Sequence, residues 1–116
     1  MRRMNKVKKA KILVVGSFVM DLIVTTPRFP AKGETVLGSR YTTASGGKGA
    51  NQAVQSARSG AEVTMVGKVG RDAFGDAMLQ SVGSSGVNVE RVIRSETEPS
   101  AVGNVQIEEK DGQTNN

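Results

Sequence analysis

The sequence predicts an α/β fold, with a parallel sheet and several strands outside it. Two short apolar runs that end in glycine, residues 11–16 and 62–67, have the composition of strands buried on both faces. Between them, small apolar residues recur at i, i+3, i+4 and i+7, namely Ala50, Ala53, Val54 and Ala57. A strand, a helix and a strand in this order favour a right-handed parallel crossover.

Two further strands are expected between the first apolar run and this helix. Residues 22–26 continue as a second, more exposed strand that Pro27 stops. Residues 33–43 alternate apolar and polar side chains around a glycine, which indicates a half-exposed strand or a bent hairpin.

A second helix and two more strands follow the run at 62–67. Asp72 is placed to cap this helix, whose apolar face is formed by Phe74, Ala77, Met78 and Val82. Residues 87–93 and 101–109 are predicted as strands, the second by its alternation of apolar and polar side chains.

The net charge of +5 belongs to the start of the chain. Six of the sixteen basic residues lie in the first eleven positions, which carry no acid, and the ten that remain face eleven acids. We therefore expect residues 1–10 to be a disordered basic tail and the near-neutral body to lack a specific nucleic-acid surface.

The start of the chain predicts neither a membrane span nor export. The apolar run at 12–20 follows the basic tail as in a secretory signal, but Asp21 ends it and no small-residue cleavage pattern follows closely. The run is also too short to cross a bilayer. We expect a cytoplasmic protein, with which the absence of cysteine is compatible.

The end of the chain carries a turn signal. Asp111-Gly112 after an alternating strand predicts a hairpin, because such turns need residues that tolerate positive φ. The returning strand is missing, so we expect a chain truncated inside the turn; a natural disordered tail is the alternative.

Residues 46–51 (GGKGAN) form the strongest candidate site. Gly46 and Gly47 let a ligand approach the main chain, Lys48 supplies a cation, and Asn51 adds an amide in the first helical turn. Gly49 stands where a P-loop needs Ser or Thr, and Gln52 where the dinucleotide fingerprint needs glycine. The alternative is a turn that needs only conformational freedom, with a solvated lysine.

Asp21 is the second candidate. It follows the first predicted parallel strand, at the edge where α/β sheets present their ligand sites. A carboxylate that accepts hydrogen bonds from hydroxyls, next to amide donors, is what a polyol site requires. The alternative is an ordinary acid at a strand end.

These residues resemble the amino-terminal signature of the ribokinase/PfkB sugar kinases. The similarity covers roughly residues 11–110 and rests on motifs that match in order and spacing. The motifs are residues 14–17 (VVGS), Asp21, residues 30–35 (PAKGET), residues 46–53 (GGKGANQA), residues 58–61 (RSGA) and residues 70–72 (GRD) with Gly75.

The resemblance implies an incomplete Rossmann-like ribokinase fold with a small β-sheet lid over a sugar. The lid strands would lie near residues 22–26, 39–43, 92–94 and 101–109, within a domain portion spanning residues 11–116. It also implies that Asp21, Gly47, Lys48 and Asn51 contact sugar hydroxyls, and we place Gly46 with them as a substrate-binding residue.

The resemblance implies transfer of phosphate from MgATP to a primary hydroxyl, with an Asp base beside a Gly-Ala-Gly-Asp anion hole. No such motif occurs in this sequence. We therefore expect no catalytic residue, no metal site and no ATP site in this chain, which would be inactive alone.

Val19 departs from the ribokinase pattern, which has Asn two residues before the sugar-binding Asp. A valine cannot pair with a hydroxyl, and a buried polar group without a partner costs about 1–3 kcal/mol. The pocket wall at Val19 therefore predicts a sugar with one hydroxyl fewer on that side, such as a deoxypentose.

Two other functions stay open from the sequence. The first is a non-catalytic interaction module that forms a homodimer through its lid strands. The second is nucleic-acid binding through the basic tail, which would weaken steeply with salt and depend on residues 1–11.

Overall fold

The computed structural model describes residues 8–109 and 114–115, over which strands and helices follow one another as the α/β prediction requires. In chain order the elements are β1 (Lys11–Val15), β2 (Val19–Thr26), β3 (Arg40–Gly46), α1 (Lys48–Arg58), β4 (Glu62–Val66), β5 (Lys68–Gly70), α2 (Ala73–Ser84), β6 (Val87–Asn88), β7 (Ile93–Ser95), β8 (Val102–Glu108) and β9 (Thr114–Asn115). In this part of the chain, no helix has the length and apolar character needed to cross a membrane.

The two glycine-ended apolar runs form neighbouring parallel strands, as predicted. β1 pairs with β4 over five residues, and β4 pairs with β6 in the same direction, which puts β4 in the centre of a three-stranded sheet. The strand predicted at 87–93 is only two residues long. It stops because the chain turns, with the Val92 amide donating to the Val89 carbonyl at 3.1 Å.

The core lies on one face of this sheet. Met65 of β4 is 0% exposed and packs in one cluster with Ala53 of α1 and Met78 of α2. The small side chain of Ala53 lets α1 approach the strands closely. On the opposite face Leu13 and Val15 are 63% and 74% exposed.

A second sheet of four strands, in the order β3-β2-β8-β9, carries the candidate site. β2 lies inside it, antiparallel to β3 and parallel to β8. The segments expected as lid strands at 22–26, 39–43 and 101–109 fall within or overlap these strands. β2 begins earlier than expected, at Val19, because it is paired with Gly46 of β3 from that residue onward.

The strand expected near 92–94 does not belong to the four-stranded sheet. It is β7, which pairs in parallel with β5. Arg94 explains this position, because its Nε donates to the Gly70 carbonyl at 3.2 Å and its guanidinium contacts Asp76 of α2 at 2.6 Å. The expected lid assignment of this segment is therefore corrected.

The residues before β3 form a loop, so the strand expected from residue 33 begins only at Arg40. Within the loop, Arg28 donates to both Glu34 oxygens at 2.6 and 2.7 Å, and the Ala31 amide donates to Glu34 Oε1 at 2.9 Å. This closed arrangement holds residues 28–34 in a turn and not in an extended strand.

The expectation that no strand returns after the turn at 111–112 is wrong. Thr114 and Asn115 form β9, antiparallel to β8, opposite Ile107 and Gln106 respectively. The predicted turn itself lies outside the described residues, as does the basic tail up to residue 7.

Candidate functional site

Asp21 lies inside β2 and not in a loop after β1, which corrects the sequence-based placement. It is opposite Ala44 of β3 and Gly103 of β8, and its side chain is half-buried. The sequence predicted the second strand from residue 22, but the strand begins at Val19, and Phe18 just before it is buried in the core. The carboxylate therefore belongs to the middle one of three paired strands.

Two glycines leave room for the Asp21 carboxylate. A Cβ added to Gly46 would lie 3.0 Å from Oδ2, and one added to Gly103 would lie 2.5 Å from Oδ1. The carboxylate thus lies flat across the sheet, with one oxygen beside each neighbouring strand. None of the side-chain hydrogen bonds in the described part of the chain has this carboxylate as its acceptor, so both of its oxygens can accept from a ligand.

The turn at 46–51 begins against this carboxylate. Gly46 ends β3, and Gly47 is the N-cap of α1 with φ 101°. A Cβ on Gly47 would lie 2.5 Å from the Ser17 carbonyl oxygen, so both the backbone conformation and the space require glycine. Lys48 and Asn51 are in the first turn of the helix, where the backbone N–H of Asn51 donates to the Gly47 carbonyl at 2.9 Å.

The start of α1 is seated directly on the connection between β1 and β2. A Cβ on Gly16 would lie 2.8 Å from the Cα of Gly49, and the Ala50 amide donates to the Ser17 carbonyl at 3.2 Å. The helix has no side-chain cap and no acid in its first turn. Its partial positive charge and the Lys48 ammonium therefore favour a ligand rich in oxygen atoms.

Val19 shares a face with Asp21, because the two residues are two positions apart on one strand. Its Cγ1 would lie 3.5 Å from a Cβ on Gly103. The site therefore has an apolar wall beside the carboxylate. The geometry brings Val19, Asp21 and Gly46 together, and Gly47, Lys48 and Asn51 follow within the next turn of the chain.

Sequence reasoning missed Gly103. The detectable signal was a lone glycine inside an alternating strand, which marks a bulge or a close approach. What it approaches depends on strand pairing, since Asp21 is 82 positions earlier in the chain and only the register of β2 with β8 brings the two together.

Asp72 has a different role. As predicted, it caps α2, accepting from the Gly75 amide at 2.7 Å. It also accepts from the Ser100 amide at 2.8 Å and the Ser100 hydroxyl at 2.7 Å, and these bonds lower the pKa of its carboxyl. The buried Ser100 hydroxyl in turn accepts from the Gly70 amide at 2.9 Å. This network ties α2 to the residues that lead into β8.

Two open grooves lie away from these residues. One, of about 610 Å³, lies farther along the four-stranded sheet and is lined by residues that include Ile23, Thr42 and Ile107. The other, of about 680 Å³, borders β1 and β4. Neither groove has Asp21 among its lining residues. Among the described residues no three acidic, His or Cys side chains are grouped to hold a metal ion.

Comparison with known proteins places this arrangement in a family. Residues 9–115 match the pfkB family carbohydrate kinases. Ribokinase of Bacillus subtilis is 54% identical over 79 residues, which are 68% of this chain and 27% of that protein. Deoxyribokinase of Salmonella typhi is 43% identical over 77 residues, 66% of this chain and 25% of that protein.

A solved structure agrees with these relatives. The structure of Arabidopsis thaliana ribokinase complexed with ribose and ATP superposes with a TM-score of 0.84 at 34% identity, covering 93% of this chain and 35% of that one. The chain thus spans between a quarter and about a third of the length of these relatives. Because the family match extends over almost all of the sequence, the chain belongs to the pfkB family of carbohydrate kinases.

Proposed function

We propose that this chain is the sugar-binding amino-terminal portion of an ATP-dependent kinase that phosphorylates a primary hydroxyl of a pentose or similar sugar. One observation carries the proposal: the Asp21 carboxylate lies flat between Gly46 and Gly103, directly against the turn that begins α1. Ribose and ATP are bound by the related Arabidopsis thaliana ribokinase, and ribose or deoxyribose is the sugar proposed here.

The chemistry of the site suits a polyol. The two oxygens of Asp21 can accept hydrogen bonds from two hydroxyls, and hydrogen bonds to a charged group contribute about 1.5–3 kcal/mol. Lys48 and Asn51 lie on the adjacent helical turn and would donate to further hydroxyl oxygens. Gly46 and Gly47 would let the sugar approach the main chain.

The wall at Val19 supports the deoxypentose as the preferred sugar. Its methyl group and Asp21 Oδ1 border the same space above Gly103. A hydroxyl held against this methyl group would lose its hydrogen bonds to water, whereas a CH₂ group would not. We therefore propose that deoxyribose binds more tightly than ribose.

MgATP is the proposed co-substrate of the whole kinase. The described residues present no group of three metal-ligating side chains, and we assign no MgATP-binding or catalytic residue to this chain. Within the reaction its residues would bind and orient the sugar. The proposal includes inactivity of the isolated chain and a cytoplasmic location.

Calorimetric titration of the chain with ribose and deoxyribose tests the proposal. We expect weak saturable binding of both sugars, tighter for deoxyribose, and at least tenfold weaker binding by D21N, which keeps the shape of the side chain but removes its charge. Titration of each sugar into buffer alone serves as the control. Equal affinity of D21N and the unmodified chain for the sugar would contradict the assignment.

The competing proposal is a non-catalytic interaction module that forms a homodimer through the four-stranded sheet. Tyr41 and Val102 of the four-stranded sheet are 62% and 47% exposed, and the groove at Ile23 lies on the same sheet. Exposed apolar surface of this kind favours association. Light scattering over a hundredfold range of protein concentration decides this point, because a dimer predicts a mass that rises with concentration.

A further inference from the structure

Gly103 stands at the point of β8 that faces Asp21. The two residues are directly opposite in the parallel pairing of β2 and β8, with Asn104 opposite Leu22 on the next position. Gly103 is half-buried in the interior of its strand. Glycine weakens a strand, because it loses more conformational freedom on folding than other residues and has no side chain to pack.

The backbone does not explain this glycine. The glycines with positive φ are Gly33, Gly47, Gly60 and Gly86 among the described residues, and Gly103 is not one of them. Any residue could therefore adopt its conformation. What excludes a side chain is the space that it would fill.

The Asp21 carboxylate occupies the space that a side chain at position 103 would fill. A Cβ at position 103 would lie 2.5 Å from Oδ1 and 3.6 Å from Cγ of Asp21, and 3.5 Å from Cγ1 of Val19. The first distance is far below van der Waals contact, so the carboxylate would have to turn away. Gly46 imposes the same limit on the other oxygen at 3.0 Å, but position 103 is the tighter of the two.

We propose that Gly103 is a positioning residue for Asp21, which keeps the carboxylate flat on the sheet and its Oδ1 edge open to a ligand hydroxyl. A side chain at 103 would raise the carboxylate from the sheet and fill the space between Oδ1 and Val19. The ligand in this statement rests on the proposed function, whereas the control of the carboxylate by position 103 does not.

The experiment compares G103A and G103V with the matched control G83A. Gly83 is half-buried in α2, and a Cβ there would lie 3.5 Å from Val89 Cγ2, an ordinary contact. The first measurement is the ¹³C resonance of the Asp21 carboxyl carbon in each full-chain variant. We expect it to move in G103A and further in G103V, and to stay in place in G83A.

A double-mutant cycle with D21A separates positioning from a general loss of stability. With Asp21 present, G103V should lower the thermal midpoint; in the D21A background it should leave the midpoint unchanged or raise it, since valine suits a strand. Equal effects in both backgrounds, or an unmoved Asp21 resonance in G103A, would overturn the proposal. If G103V fails to fold, the G103A series alone decides it.

Sugar titration then links the position to the ligand. We expect a few-fold weaker binding in G103A and at least tenfold weaker binding in G103V, with G83A unchanged. If the unmodified chain binds no sugar, the proposed function fails while the carboxyl resonance and the cycle still decide the role of Gly103. If sugar binds and G103V binds it equally well, the positioning role is contradicted.

Discussion

The two helices in the described part of the chain begin in opposite ways. The first turn of α2 is closed by its own chain, since Asp72 accepts hydrogen bonds from the Gly75 amide and from both the amide and the hydroxyl of Ser100. The first turn of α1 begins at Gly47, which has no side chain to offer, and carries Lys48 in place of an acid. The Ser17 carbonyl accepts from the Ala50 amide of this turn, and the Asp21 carboxylate stands close by without accepting a bond from the described residues.

The difference shows how to separate a structural helix start from one that is free to bind. The first amides of any helix lack partners inside the helix, so side chains, water or a ligand must supply them. At α2 the chain supplies them and gains a fixed connection to β8. At α1 the chain supplies the Ser17 carbonyl to the Ala50 amide and close glycine contacts, which position the turn and leave the Lys48 and Asn51 side chains for a ligand.

Substitution of Gly47 by alanine should cause the largest loss of stability, because this glycine positions the start of α1. Positive φ and a backbone oxygen 2.5 Å from the new Cβ act together, and we expect a loss of about 3 kcal/mol or more of unfolding free energy. G60A is the matched control, because Gly60 also has positive φ but a Cβ there meets nothing within 4 Å.

Urea unfolding of both variants gives the test. G60A should lose only the conformational part, about 1–2 kcal/mol. The excess loss in G47A then measures the contact with Ser17. Equal losses in the two variants would show that this contact does not hold the turn.

The S100A substitution tests the start of α2, where Ser100 is hydrogen-bonded to Asp72. It removes the acceptor of the buried Gly70 amide and one donor to Asp72, so we expect the unfolding free energy to fall by about 2 kcal/mol. S84A is the control, since the Ser84 hydroxyl is exposed and bonds only to the Ser81 carbonyl. Chemical denaturation measures both, and a neutral S100A would remove Ser100 from the account.

Acid should lower the stability that Asp72 contributes at the start of α2. Hydrogen bonds from Ser100 lower the pKa of its carboxyl in the folded chain, so the unfolded chain binds more protons at acid pH. The stabilisation is therefore complete above the ordinary aspartate pKa of about 4 and is lost as pH falls through the lower folded value. Denaturation at several pH values should show a shallower acid loss in S100A; identical slopes would argue against this cause.

Among the interactions tested here, the ion pair between Arg28 and Glu34 should contribute least to the stability of the folded chain. Their exposed pair lowers the pKa of Glu34 to about 2, first through the hydrogen bonds from Arg28, so its contribution is also present above the ordinary glutamate pKa and lost below it. We expect R28A to have the smallest effect of these variants, and one that salt reduces further. A loss as large as that of S100A in thermal unfolding would contradict this ranking.

Features that depend on neighbouring residues could be predicted from the sequence. They are the apolar runs at β1 and β4, the Asp72 cap and the glycine turn before α1. The distant residues that these features contact could not be predicted. Ser100 is 28 positions from Asp72, and nothing near Ser100 in the sequence indicates which acid it meets.

The position of Asp21 was missed for a related reason. The second strand was expected from residue 22, whereas β2 begins at Val19 because that residue already pairs with Gly46 of β3. The same limit applied to β7: the resemblance implied a strand near residues 92–94, but its pairing with β5 goes with the contacts of Arg94 with Gly70 and Asp76. Strand pairing is a long-range choice that periodicity does not encode.

The central claim is that Asp21 and the turn at 46–51 bind one sugar together. The most direct measurement is a titration of the isotopically labelled chain with deoxyribose, followed by amide resonances in two-dimensional NMR spectra. We expect the resonances of Asp21 and of residues 46–51 to shift together with one affinity, and D21N to abolish both sets of shifts. Shifts of the turn that persist unchanged in D21N would show that the carboxylate and the turn do not share a ligand.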